Sequence, residues 1–299
     1  MVKKYLYPVV KFRSAVTYPD KSQAISAIVV KMQDFLRENG KPKTSAIQKV
    51  QHTGSLHEYL GASGRIILSP IMPDPLLLNI NYDTYAYLIE ALQPDKIITP
   101  DGITYSGFIK FSRNQIDHIL GITELLLDRF PECTPIGLVK GCNLSQMDFH
   151  LDKLHELGIT QVCLHAGDFL YKESNYSRDQ IIDFARYIRE KVPFLMIYGV
   201  GSKHYFQRFY FADCYVTNSH FMQAFNHKVV HGATWVNFKG KPSKEIIMKN
   251  FEYLRRQVEY QNGVLDLSEW MTSTSPVKPN EKIADNTALA SSIMKILEG

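Results

Sequence analysis

Short apolar runs without strict alternation recur along the chain, and each gives way to polar or glycine residues. They span Arg65–Pro70, Lys96–Asp101, Pro135–Gly141, Gln161–Gly167, Phe194–Gly201 and Phe211–Thr217, with Gly232–Asn237 as a weaker seventh. Runs this short, apolar at successive positions, predict strands buried on both faces, as in a parallel sheet. Helical patterns lie between them. Tyr82–Leu92 and Gln115–Phe130 carry apolar residues at three- and four-residue spacing, and Leu144–Leu157 stops at Gly158. Ser177–Lys191 opens on a serine cap with Asp179 in its first turn, and Lys244–Gln261 forms a long charged helix ending near Gly263. Such alternation predicts a parallel α/β architecture. The chain has no Gly-x-Gly-x-x-Gly, so a (β/α)8 TIM-type barrel is expected rather than a dinucleotide-binding sheet.

The ends read differently. Residues 1–60 are expected to form an irregular segment packed on the barrel: a strand at Tyr5–Lys11, a helix over Ser22–Asn39 ending at Gly40, and a polar loop through Lys41–Thr53. The barrel itself is expected over 61–268. Residues 269–299 read as a Ser/Thr/Pro-rich linker, Thr272–Pro279, and a short amphipathic helix, Thr287–Leu297, a C-terminal helical extension.

Composition narrows the setting. The 299 residues are 45% hydrophobic and 21% charged, ordinary for a globular protein. A net charge of +4 permits a nucleic-acid partner without requiring one. The four cysteines, at 133, 142, 163 and 214, include no Cys-x-x-Cys pair, which argues against a zinc ribbon or disulfide framework and suits a reducing cytoplasm. The N-terminal Met-Val-Lys-Lys-Tyr lacks a following apolar region, and no apolar run approaches the ~18 residues of a membrane span. A cytoplasmic protein with no membrane partner and no cofactor is expected.

If the runs form a barrel, their C-terminal ends share one mouth, where such folds build their sites. That mouth would collect Ser69, Asp101, Lys140, Gly141, His165, Gly167, Asp168, Gly199, Gly201 and Asp213. Carboxylates from separate strands beside a lysine suit nucleophilic or acid–base work on a bound ring. Strand-end glycines leave room for a flat group and expose backbone donors. Blander readings stand beside these: Asp101 as a turn residue before Gly102, Asp213 as a cap or an arginine partner, His165 as a core histidine, Lys140 as a solvent-seeking chain. Basic and aromatic residues interleave over Lys203–Phe211, so Lys203, His204 and Arg208 are candidates for nucleic-acid backbone contact, against the alternative of a packed amphipathic helix. His204, His220, His227 and His231 lack an accompanying cysteine pair, and no metal site is expected.

The order of these segments resembles the tRNA-guanine transglycosylase superfamily, including its DNA-modifying branch. The resemblance runs over about residues 65–220 and rests on Gly137-Leu-Val-Lys-Gly141, Leu157-Gly-Ile-Thr160, Phe194–Gly201, Asp213-Cys214 and the approach Tyr82–Asp101. It implies a TIM barrel that flips out a base, breaks its N-glycosidic bond through a covalent aspartate and installs a 7-deazaguanine. On that resemblance Asp213 is the nucleophile and Asp101 reads the base edge. Gly141 and Gly167 lend donors, and Met196, Gly199 and Gly201 line the base slot. The chain departs from the family in three places. Ser69-Pro-Ile-Met72 lacks the aspartate of the family's Asp-Ser-Gly-Gly, Lys140 replaces a base-binding glutamine, and the family's zinc cluster is missing. A shifted alignment places Val216 or Asn218 at the nucleophile position. The expectation is exchange of guanine for 7-deazaguanine in DNA, favoured over tRNA. The alternatives are a glycosylase leaving an abasic site and a catalytically inactive nucleic-acid-binding barrel.

Overall fold

The computed structural model describes residues 4–10, 12, 25–105, 107–167 and 178–259. Eight parallel strands pair in sequence order and close into a barrel. They are β1 (Tyr5–Val10), β2 (Ala27–Lys31), β3 (Arg65–Ser69), β4 (Lys96–Ile98), β5 (Thr134–Val139), β6 (Gln161–His165), β7 (Phe194–Tyr198) and β8 (Cys214–Thr217). Closure is made by β8 on β1, with Tyr5 opposite Cys214 and Pro8 opposite Thr217. The fold is the expected (β/α)8 TIM-type barrel.

The strand pattern has a simple cause. Val29, Ile67, Ile98, Leu138, Cys163, Met196 and Val216 point into the barrel and pack on one another. Their neighbours Ile28, Val30, Ile66 and Leu68 point outward and are covered by helices. Both faces are dry, so an apolar residue is stabilising at every position, by about 1.5–3 kcal/mol for each large side chain.

The helices are α1 (Thr44–His52), α2 (Leu56–Leu60), α3 (Asp74–Leu77), α4 (Tyr82–Leu92), α5 (Ile109–Arg129), α6 (Leu144–Glu156), α7 (Arg178–Lys191), α8 (Lys203–Arg208), α9 (Ser219–Phe225) and α10 (Lys244–Glu259). Side-chain caps fix several starts: Asn81 accepts from Thr84 N at 3.1 Å, and Asn143 accepts from Gln146 N at 2.9 Å. Gly158, at φ +78°, turns the chain after α6 into β6, a left-handed conformation that favours glycine. Among the described residues no helix is long and apolar enough to cross a membrane.

Two expectations need correction. Residues 1–60 are not a segment laid on a barrel that begins at 61, because they supply its first two strands. The run read as a helix over Ser22–Asn39 contains β2, followed by a single 3₁₀ turn, Met32–Phe35, and the loop expected at Lys41–Thr53 contains α1. The weak strand at Gly232–Asn237 lies outside the barrel. Thr234–Asn237 is β10, antiparallel to β9 (Lys228–His231), and β8 has already closed the sheet onto β1. Asp168, Ser177, Thr272–Pro279 and Thr287–Leu297 lie outside the described residues.

Candidate functional site

The C-terminal ends of the strands deliver a buried ion pair. Asp101 follows β4 and Lys140 follows β5, and the Lys140 ammonium stands 2.9 Å from Asp101 Oδ1. Both side chains are withdrawn from water, at 4% exposure for Asp101 and 15% for Lys140. The same carboxylate oxygen accepts from Gly102 N at 2.8 Å, so the aspartate is held at its own turn as well as by the lysine. Lys140 is fixed from its backbone, whose N–H donates to His150 Nδ1 of α6 at 3.0 Å. From α4, the buried Tyr85 phenol meets the Asp101 backbone, and burial raises its pKa above the ordinary phenol range. Thr99 Oγ1 accepts from Leu138 N at 2.8 Å and ties β4 to β5 just below the pair.

Beside this pair stands Tyr198, the last residue of β7. Its ring packs edge-on against His165, the last residue of β6, with centroids 5.4 Å apart. Its hydroxyl is buried without a hydrogen-bond partner of proper geometry among the described residues, and Ser69 at the end of β3 is the side chain that acts on it. Burial raises the phenol's pKa above normal. A buried unsatisfied hydroxyl is uncommon in folded proteins and costs about 1–3 kcal/mol, a cost that Ser69 is placed to reduce.

The glycines have internal explanations. A Cβ on Gly167 would stand 2.8 Å from His165 Nε2, and one on Gly199 would stand 2.8 Å from the Gly167 backbone. The flat group these glycines admit is the chain's own imidazole. Gly199 also requires its φ of +91°, and its N–H is already donated to Val216 O at 3.0 Å. A Cβ on Gly201 would meet Ser219 Oγ at 2.0 Å, and one on Gly141 would meet Met147 N at 2.6 Å on α6. The structure therefore brings all four to the mouth but fills the space each leaves with protein.

Asp213 and Met196 are the sites that move. Asp213 precedes β8, so it lies at the opposite, N-terminal end of the barrel from Asp101. Its Oδ2 accepts from Leu195 N at 2.8 Å, and its Oδ1 stands 3.3 Å from Arg189 Nη2. Its main chain pairs with Leu195 and Tyr5, at the entrances of β7 and β1. The apolar run Phe211–Thr217 starts three residues before the strand, so Asp213 falls ahead of β8 and not at its end. Here Asp213 is the arginine partner of the blander reading, while Val216 lies inside the barrel and Asn218 just past the end of β8. Met196 is fully buried in mid-strand among the inner barrel side chains, below the mouth. Tyr198, two residues on and on the same face, stands at the rim instead.

Lys203 and His204 are exposed at the start of α8, which Ser202 caps through Tyr205 N at 3.4 Å, while Arg208 pairs with Asp179 of α7. His227 and His231 bracket a strand rather than a helical turn, and no group of three or more His, Cys, Asp or Glu among the described residues stands where it would hold a metal. Sequence reasoning missed Tyr198, His150, Tyr85 and Thr99. For Tyr198 the period-two register from Met196 was an available signal; the others come from neighbouring elements and leave none.

Two buried histidines set an acid limit on the fold. Burial pushes His150 down to about 4 and His220, packed on Phe251, down to about 3, from an ordinary 6.5. Below about pH 6.5 the unfolded chain takes up protons that the folded chain refuses, so stability present above 6.5 is lost as pH falls toward 4. At about 1.4 kcal/mol per pKa unit, each histidine removes about 2–3 kcal/mol by about pH 4.5. Urea denaturation at pH 7 and at that acid pH should show the loss, and His220→Phe, which cannot take up the proton, should show about half of it. An unchanged acid loss in that variant would remove His220 from the account.

Compared with protein-family models and with curated proteins, the chain matches none.

Proposed function

We propose that the mouth binds a nucleobase flipped from a nucleic acid and cleaves its N-glycosidic bond. The observation that carries this reading is the Asp101–Lys140 pair, 2.9 Å apart and largely dehydrated at the C-terminal rim. Base chemistry of this kind needs a carboxylate near the anomeric carbon and a proton for the departing ring nitrogen, in a pocket that excludes bulk water. In the proposed step, water attacks the anomeric carbon and gives its proton to Asp101. The C–N electrons leave with the base, which takes a proton from Lys140. Transfer from the protonated Asp101 back to the neutral Lys140 restores the pair. The Tyr198 hydroxyl and His165 supply polar edges for the ring.

The resemblance to tRNA-guanine transglycosylases supports the substrate class, with DNA favoured over tRNA. The position of Asp213 favours excision over covalent exchange, since a residue below β8 cannot reach a sugar held at the rim. Lys203 and His204, exposed on α8, offer phosphate contacts.

The test is mass spectrometry of bases released when the purified protein meets DNA and tRNA, including phage DNA carrying modified bases, with and without added 7-deazaguanine. Release without the added base, leaving alkali-labile sites, is the expected result. Release that depends on it would replace excision with exchange. Nucleic-acid binding with no release from any substrate would overturn the proposal and leave a binding barrel.

A further inference from the structure

The other end of the barrel holds a cavity of about 320 Å³, at the lower end of the range of small-ligand sites. Barrel interiors of this class are ordinarily filled by stacked apolar side chains, and the N-terminal end ordinarily serves stability. Here Arg65, Lys96 and Gln161, from the first positions of β3, β4 and β6, line the space with Tyr5 and Tyr7 of β1. The small Ala27, paired with Arg65 in register, leaves it open. Its apolar wall is Ile67, Ile136, Phe194 and Met196.

The charge of this cavity is one-sided. Lys96 sits opposite Ile67, two residues along the same inward face from Arg65, and donates to Gln161 Oε1 at 2.8 Å, a neutral partner. Burial, and then the Arg65 charge, lower its pKa. Among the described residues none that lines the cavity is acidic. The nearby carboxylates are committed elsewhere. Asp95 accepts from Ile66 N at 2.6 Å and stands 2.8 Å from His57 Nε2, and Asp213 is engaged by Arg189 and Leu195 N. Arg65 has no ion pair with any described residue. Lys96 is half-buried and Arg65 exposed at the opening, so their mutual repulsion is modest, and a bound oxyanion between them removes it.

We infer that this cavity is a second ligand site, for a small molecule bearing a phosphate or carboxylate head between Arg65 and Lys96 and a short apolar body against Ile67, Ile136, Phe194 and Met196. The inner layer of Val29, Ile98, Leu138 and Val216 fills the barrel's interior, so the site is independent of the mouth and of the reading given to it.

Isothermal titration calorimetry of the full chain tests this, with phenyl phosphate and benzoate as probes and inorganic phosphate as the headgroup alone, all at constant ionic strength. Saturable one-to-one binding of phenyl phosphate or benzoate is expected, whichever is tighter identifying the head, with inorganic phosphate at least tenfold weaker. Lys96→Met and Arg65→Met should each raise the tighter probe's Kd at least tenfold. Without ligand, their melting temperatures should equal or exceed that of the unaltered protein, because each relieves the repulsion. A side chain needed only for the fold would lower the melting temperature instead. No saturable binding by the unaltered protein, or an unchanged Kd in both variants, overturns the inference.

Discussion

Asp213→Ala is expected to destabilise the barrel by about 2–4 kcal/mol while leaving base release per folded molecule unchanged. Breaking a fully buried ion pair costs about 3–5 kcal/mol, but the Arg189 guanidinium is partly exposed and keeps two other acceptors. These are Val192 O at 2.7 Å and Phe211 O at 3.2 Å. The larger share of the cost is the buried Leu195 N–H, which loses its acceptor and sits where water cannot replace it. Asp213→Asn keeps an oxygen for that N–H but turns an amide NH2 toward Arg189, which is partly exposed and keeps its other acceptors, so it should cost about 1–2 kcal/mol. Urea denaturation and base release measured on the same preparations separate the roles. Were Asp213→Asn to fold normally and lose all release, the aspartate would have to act on the substrate, and its position below β8 would have to be reconciled with that.

Seven of the eight strands are legible in the sequence, and the six from β3 onward are so because a strand buried on both faces writes an uninterrupted apolar run. The second fails, and the first, although legible, could not be placed in the barrel. Ala27–Lys31 continues into the 3₁₀ turn Met32–Phe35, and the buried Met32, Phe35 and Leu36 fall at helical spacing, so a strand followed by a turn reads as one amphipathic helix. Tyr5–Val10 reads as a strand, but the helix misread after it leaves it no visible partner. In α1 only Ala46, Ile47 and Val50 are buried, a stripe too thin to stand out among lysines, glutamines and threonines.

The site is legible in a different measure. Asp101 and Lys140 announce themselves as polar residues past apolar runs, but their pairing is a matter of strand register, set by Ile98 opposite Ile136. The glycines show the limit most clearly. A sequence reveals that Gly167, Gly199 and Gly201 must be small, and it says nothing of whether a ligand or the chain itself needs the room. His165 and Ser219 answer that in three dimensions. With that space filled, the polar groups that remain at the rim are the ion pair and the Tyr198 hydroxyl beside it.

The ion pair carries the sharpest test of the mouth, because its structural and chemical roles predict different outcomes in the double variant. Asp101→Asn leaves an ammonium in a nearly dry site, and Lys140→Met leaves a carboxylate there. Each should cost about 3 kcal/mol, since an uncompensated buried charge is worse than either a pair or none. The combination Asp101→Asn with Lys140→Met removes both charges. It should recover about 1–3 kcal/mol relative to the sum of the single losses, a coupling measurable by urea denaturation. Activity should follow the opposite logic. If Asp101 accepts the proton of the attacking water and Lys140 supplies the one the base carries away, each single change should lower base release at least about a hundredfold, the usual scale for a positioned acid or base. Restoring stability in the double variant should then restore no activity at all. A stable double variant that still releases base would mean that the pair only holds β4 and β5 in register, and the chemistry would have to be sought at His165 and Tyr198.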